Sequence, residues 1–389
     1  MNLEFRISRR DFLKASAGAV ATVALSPASA FAQNESPSAE AKDVALRDFI
    51  QLGPTEHDLS LKDHGLLWVP DGHTPYVTLK DDTRRYFITA RTSTHILATN
   101  GESLKDAVQN GHVNEDNLRE VYTPDVNVAY KNGYTGITSV NQPNPKDRNH
   151  LIGVTHNEQH RAQGDGTGFT ASISIVESRD GGLTWTDTGK LLQGLDTKEP
   201  GGEPVSGVGQ PASMISGDHL YIWHIDWSAN KQHPDQIYLA RIGVNQDGQL
   251  GEFERLTHDG FKKDATIEEL RSVIPVPDSE RAVYSALPSI SWNVHLNKFL
   301  AVFETAEGFY QTKSDNTIDW DQPVLFARFP THYHERETMD QWFSYPTLIS
   351  DQDSFESDKL TGKNGTLYFS KGYWKAGSHN MAARDFEII

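Results

Sequence analysis

A set of three strand-like segments recurs five times along this chain. Each set has an opening segment, a more apolar segment that ends on a polar residue, and a segment of alternating type. The sets are 75–79, 86–91 and 95–99; 133–140, 150–158 and 172–178; 210–215, 219–226 and 236–242; 287–292, 298–304 and 308–314; and 345–349, 366–371 and 380–389. Turn residues separate them. A small sheet cannot bury its apolar faces alone, so evenly repeated sheets stack around an axis. The pattern predicts an all-β fold, a five-bladed β-propeller of four-stranded antiparallel blades. Two stretches of helical spacing, 104–120 and 264–271, read as short helical insertions at the rim.

The first thirty residues stand outside this repeat. Ser8-Arg9-Arg10-Asp11-Phe12-Leu13-Lys14 reads as a twin-arginine signal, followed by the apolar run 15–25. Small residues then offer cleavage after Ala30 or Ala32. The apolar run is too short for a stable membrane anchor. The expected plan is a signal over 1–32, a flexible leader rich in Ser, Glu, Ala and Pro over 33–45, and a single propeller domain over 46–389. Export makes the mature protein periplasmic or secreted, with the twin-arginine machinery as its first partner.

Charge narrows the remaining partners. The whole chain carries −17, and residues 1–30 hold four basic and two acidic residues, which leaves the mature part near −19 (32 minus 51). Such a charge argues against nucleic acid or an anionic membrane as a partner. The chain has no cysteine, so thiol redox chemistry is excluded as well. A domain of this size buries core enough to fold without disulfides.

Ser178-Arg179-Asp180-Gly181-Gly182-Leu183-Thr184-Trp185 is the sharpest motif of the mature chain. Asp180 can accept backbone N–H bonds across a tight turn, glycine permits positive φ, and Trp185 can fold back onto the sheet. A degenerate copy runs from Ser314 to Trp320. The motif resembles the Asp-box, or BNR repeat, of sialidase-like propellers, where it is a folding device. With Tyr134-Thr135-Gly136-Ile137, His156-Asn157-Glu158-Gln159-His160, Gly209-Gln210-Pro211-Ala212-Ser213 and Tyr345-Pro346-Thr347-Leu348, the chain resembles secreted, glycoside-hydrolase-like five-bladed propellers. The likeness covers most of 65–389. It departs from true sialidases, which show several Asp-boxes and an early Arg-Ile-Pro. In arabinanase- and fructosidase-type relatives, essential carboxylates occupy positions at the opening of innermost strands. That resemblance points to Asp71, ahead of Pro75, and more loosely to Glu203.

Propeller topology sorts the remaining polar residues. The ends of the second strands should meet the starts of the innermost strands on one functional face. Those ends are Arg91, Glu158, Asp226, Glu304 and Lys371, and the opening side contributes Asp71, His73, Tyr134, Gln210 and Tyr284. His156, Glu158 and His160 alternate, so an extended chain puts them on one side, as it does His224 and Asp226. Such a set can serve as general acid or base, can ligate a metal, or can be a solvated loop. His332-Tyr333-His334-Glu335 repeats the alternation outside the strands. Trp342, Tyr345, Tyr373 and Trp374 are candidates for stacking on sugar rings.

The leading expectation is a carbohydrate-active protein, a glycoside hydrolase with paired carboxylates. Glu158 is expected as the acid, Asp226 or Asp71 as base or nucleophile, and Arg91, His156, His160, Gln210, Glu304, Lys371 and Trp342 as substrate contacts. The hydrolase needs no cofactor. Two alternatives stay open. One is a lectin-like propeller that only binds carbohydrate; the other is a hydrolase dependent on a divalent metal, similar to propeller lactonases in architecture.

Overall fold

The computed structural model describes residues 49–61, 64–90, 93–101, 103–109, 117–125, 127–160, 169–195, 205–227, 236–279, 282, 284–329, 341–350, 355–373 and 378–389. In chain order the strands are β1 (Ile50–Leu59), β2 (Tyr76–Thr78), β3 (Arg84–Ala90), β4 (Ser93–Thr99), β5 (Leu118–Tyr122), β6 (Tyr134–Asn141), β7 (Leu151–His160) and β8 (Phe169–Ser178). They continue with β9 (Thr186–Gln193), β10 (Val205–Ser216), β11 (His219–Asp226), β12 (Ile237–Val244), β13 (Leu250–Thr257), β14 (Gly260–Lys262), β15 (Ser272–Ile274) and β16 (Ala286–Asn293). The last are β17 (Lys298–Glu304), β18 (Gly308–Ser314), β19 (Val324–Arg328), β20 (Trp342–Ile349), β21 (Leu360–Thr361), β22 (Asn364–Tyr373) and β23 (Ser378–Ile388). Among the described residues, helix α1 (Leu104–Gln109) lies between β4 and β5.

Among the described residues, antiparallel pairing sorts the strands into five groups: β2-β3-β4-β5, β6-β7-β8-β9, β10-β11-β12-β13, β16-β17-β18-β19 and β20-β22-β23-β1. The three inner strands of each group coincide with one of the five segment sets. The outer strand of the last group is the N-terminal β1, paired with β23 from Ile50↔Ile388 to Leu59↔Met381. The first and last described strands therefore meet in one sheet.

The groups do not stay separate four-stranded sheets. Val205, Ser206 and Gly207 of β10 pair in parallel with Phe169, Thr170 and Ala171 of β8, which merges the second and third groups. The third group adds β14 and β15, and β21 pairs in parallel with β16. The helical expectations also shrink. Among the described residues of 104–120 only 104–109 are helical, with Leu104 and Ala107 buried one turn apart, while Leu118–Tyr122 is pulled into pairing with β4. Within 264–271 there is a single 3-10 turn, Ile267–Glu269, held by a capping box between Thr266 and Glu269.

Consecutive groups share apolar cores, and the sharing closes on itself. Phe87 and Val77 meet Ile137 and Leu151; Val154 and Ile175 meet Ile222 and Ile242; Trp223 and Leu239 meet Phe299 and Phe303. Leu300 and Phe309 meet Leu367 and Phe369, and Tyr368 and Met381 meet Tyr86 and Ile88 of the first group. Alternate residues of each strand face opposite neighbours, so the strands are buried on both sides. Each fully buried Phe or Ile in these layers contributes roughly 1.5–3 kcal/mol of burial free energy.

Residues 355–362 form a clasp across one end of this arrangement. Tyr76 N–H donates to Asp358 Oδ1 at 3.2 Å and Thr78 N–H to Glu356 O at 2.6 Å, which engages the first group. Lys359 Nζ donates to Ser139 Oγ of β6 at 2.8 Å, and that hydroxyl meets Ser213 Oγ of β10 at 2.8 Å. Trp292 N–H of β16 donates to Lys359 O at 2.8 Å, and Gly362 N–H donates to Ser350 Oγ at 2.7 Å. One short segment thus bonds the first, second and fourth groups and the residue after β20 directly, and meets the third through Ser139. Between the clasp and the ends of β6 and β10 lies a cavity of about 340 Å³, lined in part by Asn141, Met214, Ile215 and Leu360. Among the described residues no helix is long and apolar enough to cross a membrane.

Candidate functional site

Register places the opposite end of the innermost strands against the second-strand ends. Glu158 pairs with Tyr134, Asp226 with Val208, Glu304 with Ala286 and Lys371 with Phe343. The bulges of these innermost strands fall at the same end. Register shifts at Gly209/Ala212, Ala286/Ser289 and Ser344/Thr347 bracket Gln210, Leu287 and Tyr345, with φ of 55°, 52° and 58°. Each of the three precedes a proline. A left-handed residue costs about 1–3 kcal/mol, and bulges re-aim side chains where a site is built.

On β7, Ile152 and Val154 belong to the core shared with the third group. His156, Glu158 and His160 have the same parity, so they face the same way, as alternation predicts. His156 Nε2 bonds Glu158 Oε1 at 3.3 Å, and His160 Nε2 bonds Glu158 Oε2 at 2.8 Å. The backbone N–H of Gln210 donates to His156 Nδ1 at 3.4 Å. That assigns the proton of a neutral His156 to Nε2, where it serves the carboxylate. Burial alone would raise the pKa of Glu158, but the hydrogen bonds from His156 and His160 outweigh it and hold the group at about 2. The two imidazoles are committed to different oxygens of Glu158 rather than turned with it onto a common ion. Among the described residues no cluster of three or more His, Asp or Glu is arranged to hold a metal.

Asp71 is the second carboxyl of the site. Its backbone N–H donates to Thr89 O at 3.0 Å, and its carbonyl accepts the Tyr134 hydroxyl at 2.6 Å. Gly136 makes room for that phenol, since a Cβ there would lie 2.3 Å from the hydroxyl. Asp71 as a whole residue is half-buried, and the protein packed around its carboxyl raises the pKa to about 7, with the charge of Glu158 adding to the effect and a hydrogen bond with Tyr345 opposing it. Burial, and next the charge of Asp71, raises the Tyr134 phenol well above its usual range. Two residues on, His73 is buried with Nδ1 3.2 Å from Thr347 Oγ1, and burial followed by the charge of Lys359 lowers it to about 3.

The structure therefore brings together Asp71, Glu158, His156, His160, Gln210, Tyr134 and Tyr345, and commits other expected residues to buried contacts or ion pairs. Asp226 is fully buried, and its charge acts on Arg255 of β13. Parity turns it, with His224, into the interface between the second and third groups. Glu304 is also fully buried, accepting from Tyr284 at 3.2 Å and Ser344 at 2.6 Å. Lys371 pairs with Glu56 of the closing strand. Trp342 is no sugar platform, because its ring packs over Gly372 and meets His379 at 4.9 Å. Arg91, Glu203, the 332–335 segment and Trp374 lie outside the described residues, as does the side chain of Tyr373.

Sequence reasoning missed Phe169 and Trp227. Phe169 pairs with His160 across β8 and β7, and Trp227 directly follows the end of β11. Trp227's place, one residue beyond a second-strand end, was the available signal. It also missed Lys359, because the clasp falls outside the repeat.

The turn at 178–185 is built as its residues suggest. Asp180 Oδ1 accepts Leu183 N–H and Thr184 N–H at 3.0 Å each, and Trp185 Nε1 donates to Gly182 O at 3.1 Å. At 314–320 Asn316 Oδ1 takes the place of the carboxylate, accepting Ile318 N–H at 3.1 Å and Asp319 N–H at 2.8 Å. Trp320 Nε1 donates to Thr317 O at 2.8 Å. Both turns leave a third strand on the side away from Asp71 and Glu158.

Comparison with known proteins adds the signal and the fold. The TAT (twin-arginine translocation) pathway signal sequence matches residues 6–26. No curated protein sequence matches the chain at a significant level. The structure is similar to that of a family 117 glycoside hydrolase from the marine bacterium Zobellia galactanivorans, with a TM-score of 0.52 and 10% identity over 88% of this chain and 92% of that one. It is also similar to an α-L-arabinofuranosidase from Podospora anserina solved with cellotriose, with a TM-score of 0.50 and 11% identity over 85% of this chain and 95% of that one. At such identity the likeness speaks for fold alone. The chain carries an export signal and shares the β-propeller fold of these hydrolases.

Proposed function

We propose that this chain is an exported glycoside hydrolase, built as a five-bladed propeller whose two alike turns are Asp-boxes, and active in the periplasm or outside the cell. The observation that carries the reading is the opposed electrostatics of two neighbouring carboxyls. Asp71 is held near 7 and Glu158 near 2, so at mildly acidic pH one keeps its proton and the other its charge. That division of labour is what glycoside hydrolysis needs.

The roles are the reverse of those expected from sequence. Asp71 donates its proton to the leaving oxygen as the glycosidic C–O bond breaks. Glu158, ionised, takes the proton of the incoming water or attacks the sugar carbon itself. His156 and His160 fix the orientation of Glu158, and Tyr134 holds the loop that carries Asp71. Both structural relatives are carbohydrate-active by name, which makes glycans the first ligand class to test.

The test is a glycan screen of the purified mature protein beside Asp71→Asn and Glu158→Gln, reading released reducing sugar and binding together. Turnover lost in both variants while binding persists supports the reading. Binding by the native protein with no product moves the chain to the lectin-like class, and turnover that survives both substitutions sinks the assignment of these carboxyls.

A further inference from the structure

Beside Glu158 two half-exposed aromatic rings from different groups form a corner. Phe169 and Trp227 meet edge to face, with centroids 6.2 Å apart and planes at 90°. His160, which bonds Glu158, stacks on Phe169 at 5.9 Å and 20°. His156, which bonds the other oxygen, lies 6.3 Å from each of the two rings. The corner is rigidly backed. Trp227 N–H donates to Gly207 O at 2.9 Å, and Phe169 pairs with Val205 in the parallel junction. Gly209 is what lets His156 and Trp227 close on the strand, because a Cβ there would lie 2.6 Å and 2.8 Å from their rings.

We propose that Phe169 and Trp227 are a stacking subsite for one neutral sugar ring, seated immediately beside Glu158. The inference rests on the carbohydrate reading above and names the residues that would select the ligand. A sugar ring has a face of C–H groups and an edge of hydroxyls. The two apolar rings pack against the first, while the adjoining carboxylate offers acceptor oxygens to the second. A cationic ligand would also suit an aromatic corner, but the charge of Glu158 is already met by two imidazoles. The net charge of −17 gives no attraction to an anionic glycan.

The experiment is calorimetric titration of the mature protein, Trp227→Ala, Trp227→Phe and Phe169→Leu with short neutral oligosaccharides of glucose, xylose, galactose and arabinose, and with choline. Thermal melting of each variant checks folding, and Trp227→Phe and Phe169→Leu keep an apolar side chain at each position. Trp227→Ala and Phe169→Leu are expected to weaken oligosaccharide binding about tenfold, with Trp227→Phe restoring most of it. Equal affinity in native protein and variants overturns the subsite, as does binding of choline alone or of no oligosaccharide. Turnover that needs Asp71 with KM unmoved in the aromatic variants would leave the hydrolase and remove the subsite. Trp227-dependent binding without turnover would do the opposite.

Discussion

The hydroxyl of Tyr134 donates to the backbone carbonyl of Asp71 at 2.6 Å, so the first residue of β6 holds the loop that precedes β2. Tyr134 also pairs across the ladder with Glu158. A single side chain at a strand end therefore ties the two carboxyls of the site to one piece of sheet. Their electrostatic coupling follows from that register.

Activity should be high in mild acid and fall as pH rises through about 7. Asp71 must hold a proton to act as acid, and its pKa is raised to about 7. Glu158, held near 2, stays ionised across the whole range. A kcat/KM profile against pH reads the limb. A limb that instead rises through 7 would give Asp71 the role of base.

Asp71→Asn should stabilise the protein above pH 7 while abolishing turnover. The raised pKa means the unfolded chain ionises first, so the penalty is absent below about 3.8 and complete above about 7. Discounted for the half-buried residue, the gain is roughly 1–3 kcal/mol at pH 8 and near zero at pH 3.5. Glu158 behaves oppositely. Its depressed pKa contributes stability that is present above 4.5 and is lost as pH falls through about 2. Urea denaturation at the two pH values checks the first sign.

Gly207→Ala should destabilise by about 2–4 kcal/mol and disturb the site as well. The residue sits at φ 87°, and a Cβ would approach Ala171 O to 2.1 Å. The parallel junction of β10 with β8 would open, taking Phe169 with it. A lowered urea midpoint together with a raised KM is the expected pair of readings.

Lys359→Met should cost about 2–4 kcal/mol, because Asp358 loses the ammonium 2.7 Å away in a largely buried setting. The charge of Lys359 also lowers the pKa of His73, next in importance after burial. Proton NMR of the His73 ring should therefore show titration moving up from about 3 in the variant. An unmoved His73 would mean that the charge of the clasp does not reach it.

Asp180→Ala should lower stability by about 1–3 kcal/mol with kcat and KM unchanged. Its carboxylate caps two backbone N–H groups in a turn on the far side from Asp71. Loss of activity at constant folding would contradict that separation.

The regular part of the fold was legible in the residues. All fifteen expected segments coincide with inner strands because short strands buried on both faces write a dense, evenly spaced apolar pattern. His156, Glu158 and His160 were legible for the same reason, since alternation along an extended chain is a local property. The outermost strands were not. β1 and β5 are half-solvated, so Leu118–Tyr122 resembled the continuation of a helix until β4 claimed its backbone.

Within the site, residue type and position along a strand were enough to nominate Asp71 and Glu158, and tertiary structure alone decided their charge states. Asp226 and Glu304 look equally catalytic in sequence, but neighbouring groups bury them completely against Arg255, Tyr284 and Ser344. The repeat, the export signal, the tight turn at Asp180 and the facing of the β7 trio are all readable from the residues alone. Each of these depends on interactions within a few residues or on strand periodicity. Burial and the proximity of charges are sums over atoms brought from distant segments. Only packing could hold Asp71 near 7 and Glu158 near 2, or set Phe169 against Trp227.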